Sequence, residues 1–359
     1  HGPVKGADGA YYLGLNLAHT DEAVYKADGL YMGSQGGFSG WAFRVTPDGE
    51  ATPWASGLRS AAGWALGPDD QVWFTENQGE FVGTSELFVL KKNAFYGHPS
   101  GLVDLPGMTP ESPGIAWARV RDHREPERLL MPQNLLANSP GHPVWDTTQG
   151  RFGPFSEQML IGDQTQSNLF RVALETLPDG TVQGAAMPFA RNLASGAMRP
   201  VFLPDGSLLL GQTGRGWQAK GGHVAALQRV SWQGEQPPLA LKRITVTEDG
   251  FTLQFTRALP ETLTRQALAN ALALSSWTYR DAPDYGSEQL GQRDEAIAGL
   301  TLSDDRTAVT LELESTKVPD VHPQQTARVY HFTLESDVLT RDHGGVPMSA
   351  FYTLHRFAP

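Results

Sequence analysis

A strand–turn–strand unit that ends in polar side chains recurs along the first two thirds of the chain. Each copy has an apolar strand, a turn, a second apolar strand and then a polar segment. The turns combine Asp with Gly or Pro, which are the residues that tight hairpins prefer. The copies lie at residues 3–16, 63–77, 143–165 and 200–213. A repeat of this kind predicts a series of small antiparallel sheets.

Further strand-like segments lie between the copies, at residues 41–56, 86–92 and 168–183. Residues 1–236 are therefore predicted to form a β-propeller in an all-β protein. Four blade units are visible, and we expect them to be part of a six-bladed wheel because the sequence starts inside a unit. The missing blades would lie on another chain, have been removed, or be absent. A plain β-sandwich or a β-helix is the alternative arrangement of the same strands.

The pattern changes near residues 233–238, where the sequence reads QGEQPP. Residues 237–359 contain alternating strands and an Asp–Gly turn, which is typical of an immunoglobulin-like β-sandwich. One short helix is predicted at residues 263–274. We expect this second domain to serve as a packing or binding module.

Composition excludes several classes of function. The chain has 39 acidic and 28 basic residues and a net charge of -11, which argues against a nucleic-acid or anionic-membrane partner. It has no cysteine, so disulfides, thiolate metal sites and covalently attached haem c are excluded within this chain. No apolar run approaches the roughly 20 residues that a transmembrane helix requires. A periplasmic or secreted location fits this composition, although the lack of cysteine would also suit the cytosol.

The polar segments are predicted to meet at one place. In an antiparallel hairpin, the start of the first strand and the end of the second lie at the same edge of the sheet. Because blades share one orientation around the axis, these edges form one face of the propeller. The side chains expected there are His1, Asn16, His19, Arg59, Ser60, Glu76, Asn77, Gln78, Asn138, Ser139, His142, Asp163, Gln164, Gln166, Met198, Arg199, Gln212, Thr213 and Arg215. Two long connections, residues 17–40 and 100–138, leave the same face and could cover it.

The predicted site carries charges of both signs. Arg59, Arg199 and Arg215 supply positive charge, and Glu76 and Asp163 supply negative charge. Such a mixture suits a polar, hydroxyl-rich or carboxylated ligand, or a hard cation with oxygen ligands.

Two loops add candidate residues to this face. His19 lies on a loop, where it could act as a general base, although a solvated histidine is the simpler interpretation. Trp217 lies with Arg215 on a glycine-rich loop, TGRGWQAKGG, and a tryptophan and an arginine on such a loop indicate ligand binding.

Several segments resemble the soluble glucose/sorbosone dehydrogenase family of six-bladed propellers, which bind pyrroloquinoline quinone (PQQ) and calcium. The segments are GLRSAAG (57–63), TENQGE (75–80), AFYGHP (94–99), IGDQTQSNLFRV (161–172) and RPVFLPDGSLLLGQTGRG (199–216). The chain is more similar still to the large secreted "membrane-bound dehydrogenase"-type propeller proteins of environmental bacteria. Some of those proteins carry a cytochrome c domain.

The resemblance implies roles for individual residues. Arg59 and Gln78 would contact the quinone, with Ser60, Asn77, Asp163, Gln164, Arg199, Arg215 and Trp217 as further cofactor-binding candidates. Glu76, Gly79 and Glu86, with neighbouring carbonyl groups, would hold Ca²⁺. His1 would be the catalytic base, and His19 is the second candidate.

Three functions follow from these observations. The first is an extracytoplasmic quinoprotein-like dehydrogenase, which oxidises a sugar or a related alcohol and passes electrons to a cytochrome c or another acceptor. The second is a polysaccharide lyase or hydrolase that uses arginines to bind a uronate carboxylate. The third is a propeller that binds a glycan or a protein without catalysis.

Overall fold

Each copy of the repeat forms an antiparallel sheet. The computed structural model describes residues 1–19, 31–109, 111–112, 123–234, 236–316, 326–341 and 346–358. Within these residues, four consecutive sheets run from β1 to β17, and the remaining strands belong to a C-terminal sandwich.

The strands of the four sheets follow chain order. The first unit contains β1 (Val4–Lys5), β2 (Tyr11–Leu15), a short pair of β3 (Ala18–His19) and β4 (Met32–Gly33), β5 (Trp41–Val45) and β6 (Ala51–Ser56). The second contains β7 (Gly63–Leu66), β8 (Val72–Glu76), β9 (Ser85–Val89) and β10 (Leu129–Met131), with a 3-10 helix at Pro99–Asp104. The third contains β11 (Pro140–Trp145), β12 (Met159–Asp163), β13 (Asn168–Thr176) and β14 (Val182–Ala190). The fourth contains β15 (Ala197–Phe202), β16 (Leu208–Thr213) and β17 (Ala225–Val230).

The hairpin turns are stabilised by one recurring contact. The side chain of a turn aspartate accepts a hydrogen bond from the backbone N–H two residues later. Asp8 accepts from Ala10 at 3.1 Å, and Asp205 accepts from Ser207 at 2.9 Å. This local bond is the reason that aspartate recurs in the turns of the repeat.

The first strands of neighbouring sheets pack closely against one another. A Cβ atom on Gly63 of β7 would lie 2.0 Å from the carbonyl oxygen of Gly141 in β11. A Cβ atom on Gly141 would lie 2.7 Å from the carbonyl oxygen of Met198 in β15. Only glycine permits this approach, so β7, β11 and β15 lie side by side as the first strands of successive sheets.

Apolar side chains fill the space between successive sheets. Tyr12 and Ala42 of the first sheet share a buried cluster with Trp64, Phe74 and Phe88 of the second. Similar clusters join the second sheet to the third and the third to the fourth. Successive residues of β8, β9 and β12 are all buried, so both faces of the second and third sheets are covered.

The C-terminal residues form a two-layer sandwich that is continuous with the third sheet. One layer has the order β18-β19-β23-β22, and the other, β25-β24-β20-β21, extends the third sheet because β25 pairs with β14. The ring of Phe251 lies between the layers, 5.0 Å from Tyr330 and 5.1 Å from Phe332. The strands are β18 (Leu241–Val246), β19 (Gly250–Phe255), β20 (Leu272–Thr278), β21 (Leu290–Asp294), β22 (Ile297–Leu302), β23 (Ala308–Leu313), β24 (Arg328–Leu334) and β25 (Met348–Leu354).

Two short helices occur among the described residues of this region, Arg265–Ala271 and Asp337–Thr340. The first confirms the predicted helix, but it is shorter than residues 263–274. It starts after Thr264, whose side chain accepts from the N–H of Ala267, and it ends where β20 begins.

The all-β fold class is confirmed, and the four units lie where the repeat predicted them. The number of blades in a closed wheel, the immunoglobulin-like topology and the division into domains 1–236 and 237–359 stay predictions. In the described part of the chain, no helix is both long enough and apolar enough to span a membrane.

Candidate functional site

The polar ends of the sheets surround a cavity of about 360 Å³, here called the mouth. Eight of the predicted site residues line it, and all four sheet units contribute. They are His1, Arg59, Ser60, Asn77, Gln78, Gln164, Arg215 and Trp217. Asn138, Ser139 and Met198, which the sheet-edge argument also placed here, line it too. The convergence of these side chains follows from the shared orientation of the sheets.

Five lining residues were not predicted, namely Tyr31, Met32, Ala62, Gly216 and Tyr285. Tyr31 and Met32 follow residues 20–30, which lie outside the described part of the chain together with residues 110 and 113–122. The predicted cover formed by residues 17–40 and 100–138 therefore falls largely on residues that are not described.

No aspartate or glutamate is among the described residues that line the mouth. The prediction of a mouth with charges of both signs is therefore corrected, because Glu76 and Asp163 are fully buried away from it. Both carboxylates bind backbone N–H groups of the loops that shape the cavity.

Glu76 accepts three backbone hydrogen bonds at the end of β8. The donors are the N–H groups of Arg59 at 2.9 Å, Ser60 at 2.7 Å and Asn77 at 3.0 Å. Burial raises the pKa of Glu76, and the hydrogen bonds from these N–H groups oppose that shift. Its carboxylate therefore holds the loop before β7 against the end of β8.

Asp163 has the same function at the end of β12. It accepts from the N–H groups of Asn138 at 2.8 Å, Ser139 at 2.6 Å and Gln166 at 2.7 Å. Burial raises its pKa as well, and the backbone hydrogen bonds oppose the change. Loop N–H groups that lack a strand partner need such acceptors, which explains why carboxylates recur at these strand ends.

Arg59 lines the mouth, but the buried carboxylate of Glu80 balances its charge. Its Nε donates to Glu80 at 2.8 Å, and the two side chains are only 3% and 1% exposed. Glu80 also accepts from the N–H groups of Tyr31 and Met32. The other side of the guanidinium faces the ring of Tyr285, whose centroid lies 4.9 Å away. Glu80 thus joins the Arg59 loop to the segment at residue 31.

The predicted calcium ligands make other contacts, although Glu76 and Glu86 are direct cross-strand partners in the β8–β9 pair. Glu76 is occupied as described, and the N–H of Gly79 donates to Val82 while its carbonyl accepts from Gly286. Glu86 forms an ion pair with Arg124 at 2.5 Å. Among the described residues there is no group of three or more metal-binding side chains that could hold an ion. The donor set present here therefore does not fit calcium.

Arg124 lies at the centre of a buried ionic cluster whose residues do not line the mouth. Besides Glu86, it contacts Glu127 at 3.1 Å and Asp281 of the sandwich at 3.2 Å. Burial raises the pKa of Glu86, and the neighbouring carboxylates raise it further against the effect of Arg124. This cluster ties the second sheet to the sandwich.

Two further site candidates, His19 and Arg199, lie outside the mouth. The same is true of five residues that the sheet-edge argument placed there, Asn16, His142, Gln166, Gln212 and Thr213. His19 is exposed and packs edge-on against Tyr31 at 4.7 Å. Arg199 is exposed on β15, and its Nη1 donates to the carbonyl of Met198 at 3.1 Å. Burial lowers the pKa of nearby His142 to about 4, and the charge of Arg199 contributes to the shift.

The glycine-rich loop is held against the third unit. The indole N–H of Trp217 donates to the side chain of Thr165 at 2.8 Å, and Lys220 donates to that of Gln166 at 2.6 Å. These bonds place Trp217 and Arg215 at the rim beside Gln164. The prediction that this loop contributes to the site agrees with its position.

The residues that the sequence did not reveal share a physical cause. Tyr285 reaches the mouth through a contact between two distant parts of the chain, and no local pattern encodes such a contact. The segment APDYGSE is typical of a turn, and Tyr285 within it could also reach the propeller or a partner, but it was not among the predicted site residues.

No family model matches the chain, and no curated protein matches it. Among solved structures, the chain is similar to the PQQ-bound aldose sugar dehydrogenase from Streptomyces coelicolor, with 18% identity, a TM-score of 0.42 and coverage of 63% of this chain and 60% of that one. It is also similar to a Thermus thermophilus protein provisionally described as an oxidoreductase (glucose dehydrogenase), with 18% identity, a TM-score of 0.42 and 63% coverage of both chains. The chain thus spans less than two thirds of the length of either protein, and no residue role passes from them to it.

Proposed function

We propose that the mouth binds a carboxylate-bearing ring compound and that the protein is a sugar dehydrogenase in which PQQ is that compound. The observation that carries the proposal is the composition of the lining. It combines arginine, four amide side chains and three exposed aromatic rings, and its described residues include no carboxylate.

This lining favours an anion with many polar atoms. Arg215 is exposed at the rim, and the side chains of Asn77, Gln78, Asn138 and Gln164 offer both donors and acceptors. Arginine and amide donors bind carboxylate and carbonyl oxygens, and aromatic rings pack against planar or cyclic ligands. A carboxylate-pair hydrolase has no support in the described lining, since it needs two acidic groups at the reacting bond. A metal-activated hydrolase has none either, since the described residues contain no group of three or more metal-binding side chains.

The quinone fits this lining, whereas calcium does not. Arg59, Ser60 and Gln78, which the resemblance assigns to the quinone, all line the mouth. When bound, PQQ would accept the two electrons removed from an alcohol carbon. His1 lines the same cavity and is the proposed base for the hydroxyl proton, and the amides would orient the hydroxyl groups.

The location and the electron acceptor are part of the proposal. We place the protein in the periplasm or outside the cell, with a cytochrome c or another separate acceptor. A further chain that carries additional blades is a proposed partner.

Recognition of an acidic glycan, with or without lyase activity, is the second candidate. The observation that favours it is the position of Arg215 beside the exposed ring of Trp217 at the rim. A uronate could place its carboxylate on the arginine and its sugar ring on the indole.

Thermal unfolding with PQQ, with and without calcium, tests the first candidate. A ligand that binds only the folded state stabilises it by about 2.7 kcal/mol at a hundredfold excess over its dissociation constant. We expect PQQ to raise the Tm, and calcium to add nothing, because Glu76 and Glu86 are engaged elsewhere. Arg215→Gln should reduce the shift, while Arg229→Gln, which removes an exposed arginine outside the mouth, should preserve it.

Dye reduction with a panel of sugars and alcohols then separates a dehydrogenase from a binding protein. A Tm rise with galacturonate or polygalacturonate, but not with PQQ, would move the assignment to the second candidate. The absence of a shift with PQQ and with acidic sugars would contradict both.

A further inference from the structure

The sandwich contributes a loop to the mouth, and backbone hydrogen bonds hold that loop in place. Phe81 N–H donates to the carbonyl of Ala282 at 2.7 Å, and Gly286 N–H donates to that of Gly79 at 3.0 Å. Ser287 N–H donates to Gly83 at 2.9 Å. The side chain of Asp281 accepts from the N–H of Gly83 at 2.9 Å. Residues 281–287 are therefore fixed along the segment that follows β8.

This anchoring determines where Tyr285 lies. Gly286 has a φ of +72°, and a Cβ atom there would lie 2.6 Å from the side chain of Gln78. The turn thus brings the loop against a lining residue, and the Tyr285 ring stacks on Arg59 and meets Tyr31 edge-on at 5.8 Å.

In the described part of the chain, most exposed aromatic rings lie in the mouth. Among the described residues, four aromatic side chains are exposed, and three of them, Tyr31, Trp217 and Tyr285, line this cavity at 46%, 48% and 52% exposure. The fourth, Tyr11, lies elsewhere on β2. Exposed rings that cluster around polar donors form the pattern of a ligand-binding surface.

We propose that the sandwich contributes a ligand-binding residue, Tyr285, to the mouth. Its ring packs against the ring of the bound compound and helps to determine which compounds bind. This inference rests on the proposed function, because it assumes a ring-shaped ligand in the mouth. It adds that the C-terminal domain supplies a binding residue as well as packing. Tyr285 does so from a position fixed by backbone bonds, so little conformational freedom is lost on binding.

The test measures dissociation constants of the full chain for PQQ and for galacturonate, two carboxylate-bearing rings from different sources. The variants are Tyr285→Phe, Tyr285→Leu and Tyr285→Ala. The matched control is Tyr11→Leu, which removes an exposed tyrosine outside the mouth. Tyr285→Phe keeps the ring, and Tyr285→Leu keeps an apolar cover over Arg59 without a ring.

If the ring contacts the ligand, Tyr285→Phe should bind within about twofold of the wild type, and the leucine and alanine variants should bind about tenfold more weakly. The Tyr11→Leu control should bind as the wild type does. If only PQQ or only galacturonate shows this pattern, that compound is the one whose ring Tyr285 contacts.

The two failures are distinguishable. If the wild type binds PQQ or galacturonate and Tyr285→Leu binds it equally well, the residue only covers Arg59 and the inference is overturned, while the proposed function stands. If the wild type binds neither compound, the proposed function fails, and the role of Tyr285 fails with it.

Discussion

Replacing Glu80 tests whether the charge of Arg59 is balanced inside the protein or left for a ligand. The Arg59–Glu80 pair is almost fully buried, with an Nε–Oε2 distance of 2.8 Å. The same carboxylate accepts the N–H groups of Tyr31 and Met32. Glu80→Gln keeps the size of the side chain but replaces one acceptor oxygen with an NH2 group, which faces donors.

The expected cost follows from these contacts. Removing one partner of a buried ion pair typically costs about 3–5 kcal/mol, since the remaining charge stays buried. Glutamine retains one oxygen, so we expect a loss near the lower end, about 3 kcal/mol. That is a large fraction of the roughly 5–15 kcal/mol by which a domain is stable.

Urea unfolding measures this loss as a lower midpoint at an unchanged slope. The control is Asp284→Asn, which breaks the exposed Arg280–Asp284 pair and should cost about 0–1 kcal/mol. The double variant Arg59→Met/Glu80→Gln should be less destabilised than the sum of the two single variants, by about 0.5–3 kcal/mol. If Glu80→Gln costs no more than the control, the carboxylate does not balance Arg59, and the arginine is free to neutralise a ligand.

Two further changes test the polar framework around the mouth. Asp163→Asn should destabilise the protein by about 1–3 kcal/mol in the same assay, because the one remaining oxygen cannot accept from all three backbone N–H groups. A loss of stability equal to that of Asp284→Asn would refute this prediction. His142 has a folded pKa of about 4 against 6.5 for a free side chain, so its unfolded form takes up a proton first as the pH falls. The wild type should therefore lose about 2 kcal/mol more than His142→Gln between pH 7 and pH 5, and parallel pH profiles would contradict the assignment.

The sequence predicted the parts of the structure that local patterns encode. The Asp-containing turns and alternating apolar strands located the four sheets. The antiparallel geometry of hairpins then placed Arg59, Asn77, Gln164 and Arg215 on one cavity. These are consequences of short-range chemistry, and they hold wherever the chain forms hairpins in series.

Side-chain direction could not be predicted in the same way. A carboxylate at a strand end can point into the cavity or back to the loop. The sequences around Glu76 and Asp163 are compatible with both directions. In each case the structure shows the second arrangement, because loop N–H groups without strand partners compete for the acceptor. The same uncertainty explains why metal ligands were predicted at Glu76, whose oxygens bind backbone N–H groups, and at Glu86, whose Oε2 binds Arg124. The other oxygen of Glu86, Oε1, is buried and has no hydrogen-bond partner among the described residues.

Contacts between distant segments were the second source of error. The pairing of β14 with β25 joins residues 182–190 to residues 348–354, and no periodicity in the sequence specifies which sheet edge a C-terminal strand will cover. Once that pairing forms, the loop that carries Tyr285 lies within reach of Gly79 and Arg59. The prediction of a packing or binding module at the C-terminus therefore did not specify that this module forms one wall of the cavity.

The disposition of the carboxylates also explains how an acidic protein can present a site for anions. The chain carries a net charge of -11, which alone would argue against an anionic ligand. Charges farther away than about 8 Å are strongly screened at physiological ionic strength, so the local lining outweighs the total. Because Glu76, Glu80 and Asp163 are directed toward backbone or arginine donors beneath the surface, the groups left facing the cavity are arginine, amides and aromatic rings. The acidic residues at the strand ends thus leave the described lining of the mouth without a carboxylate, as the proposed anion site requires.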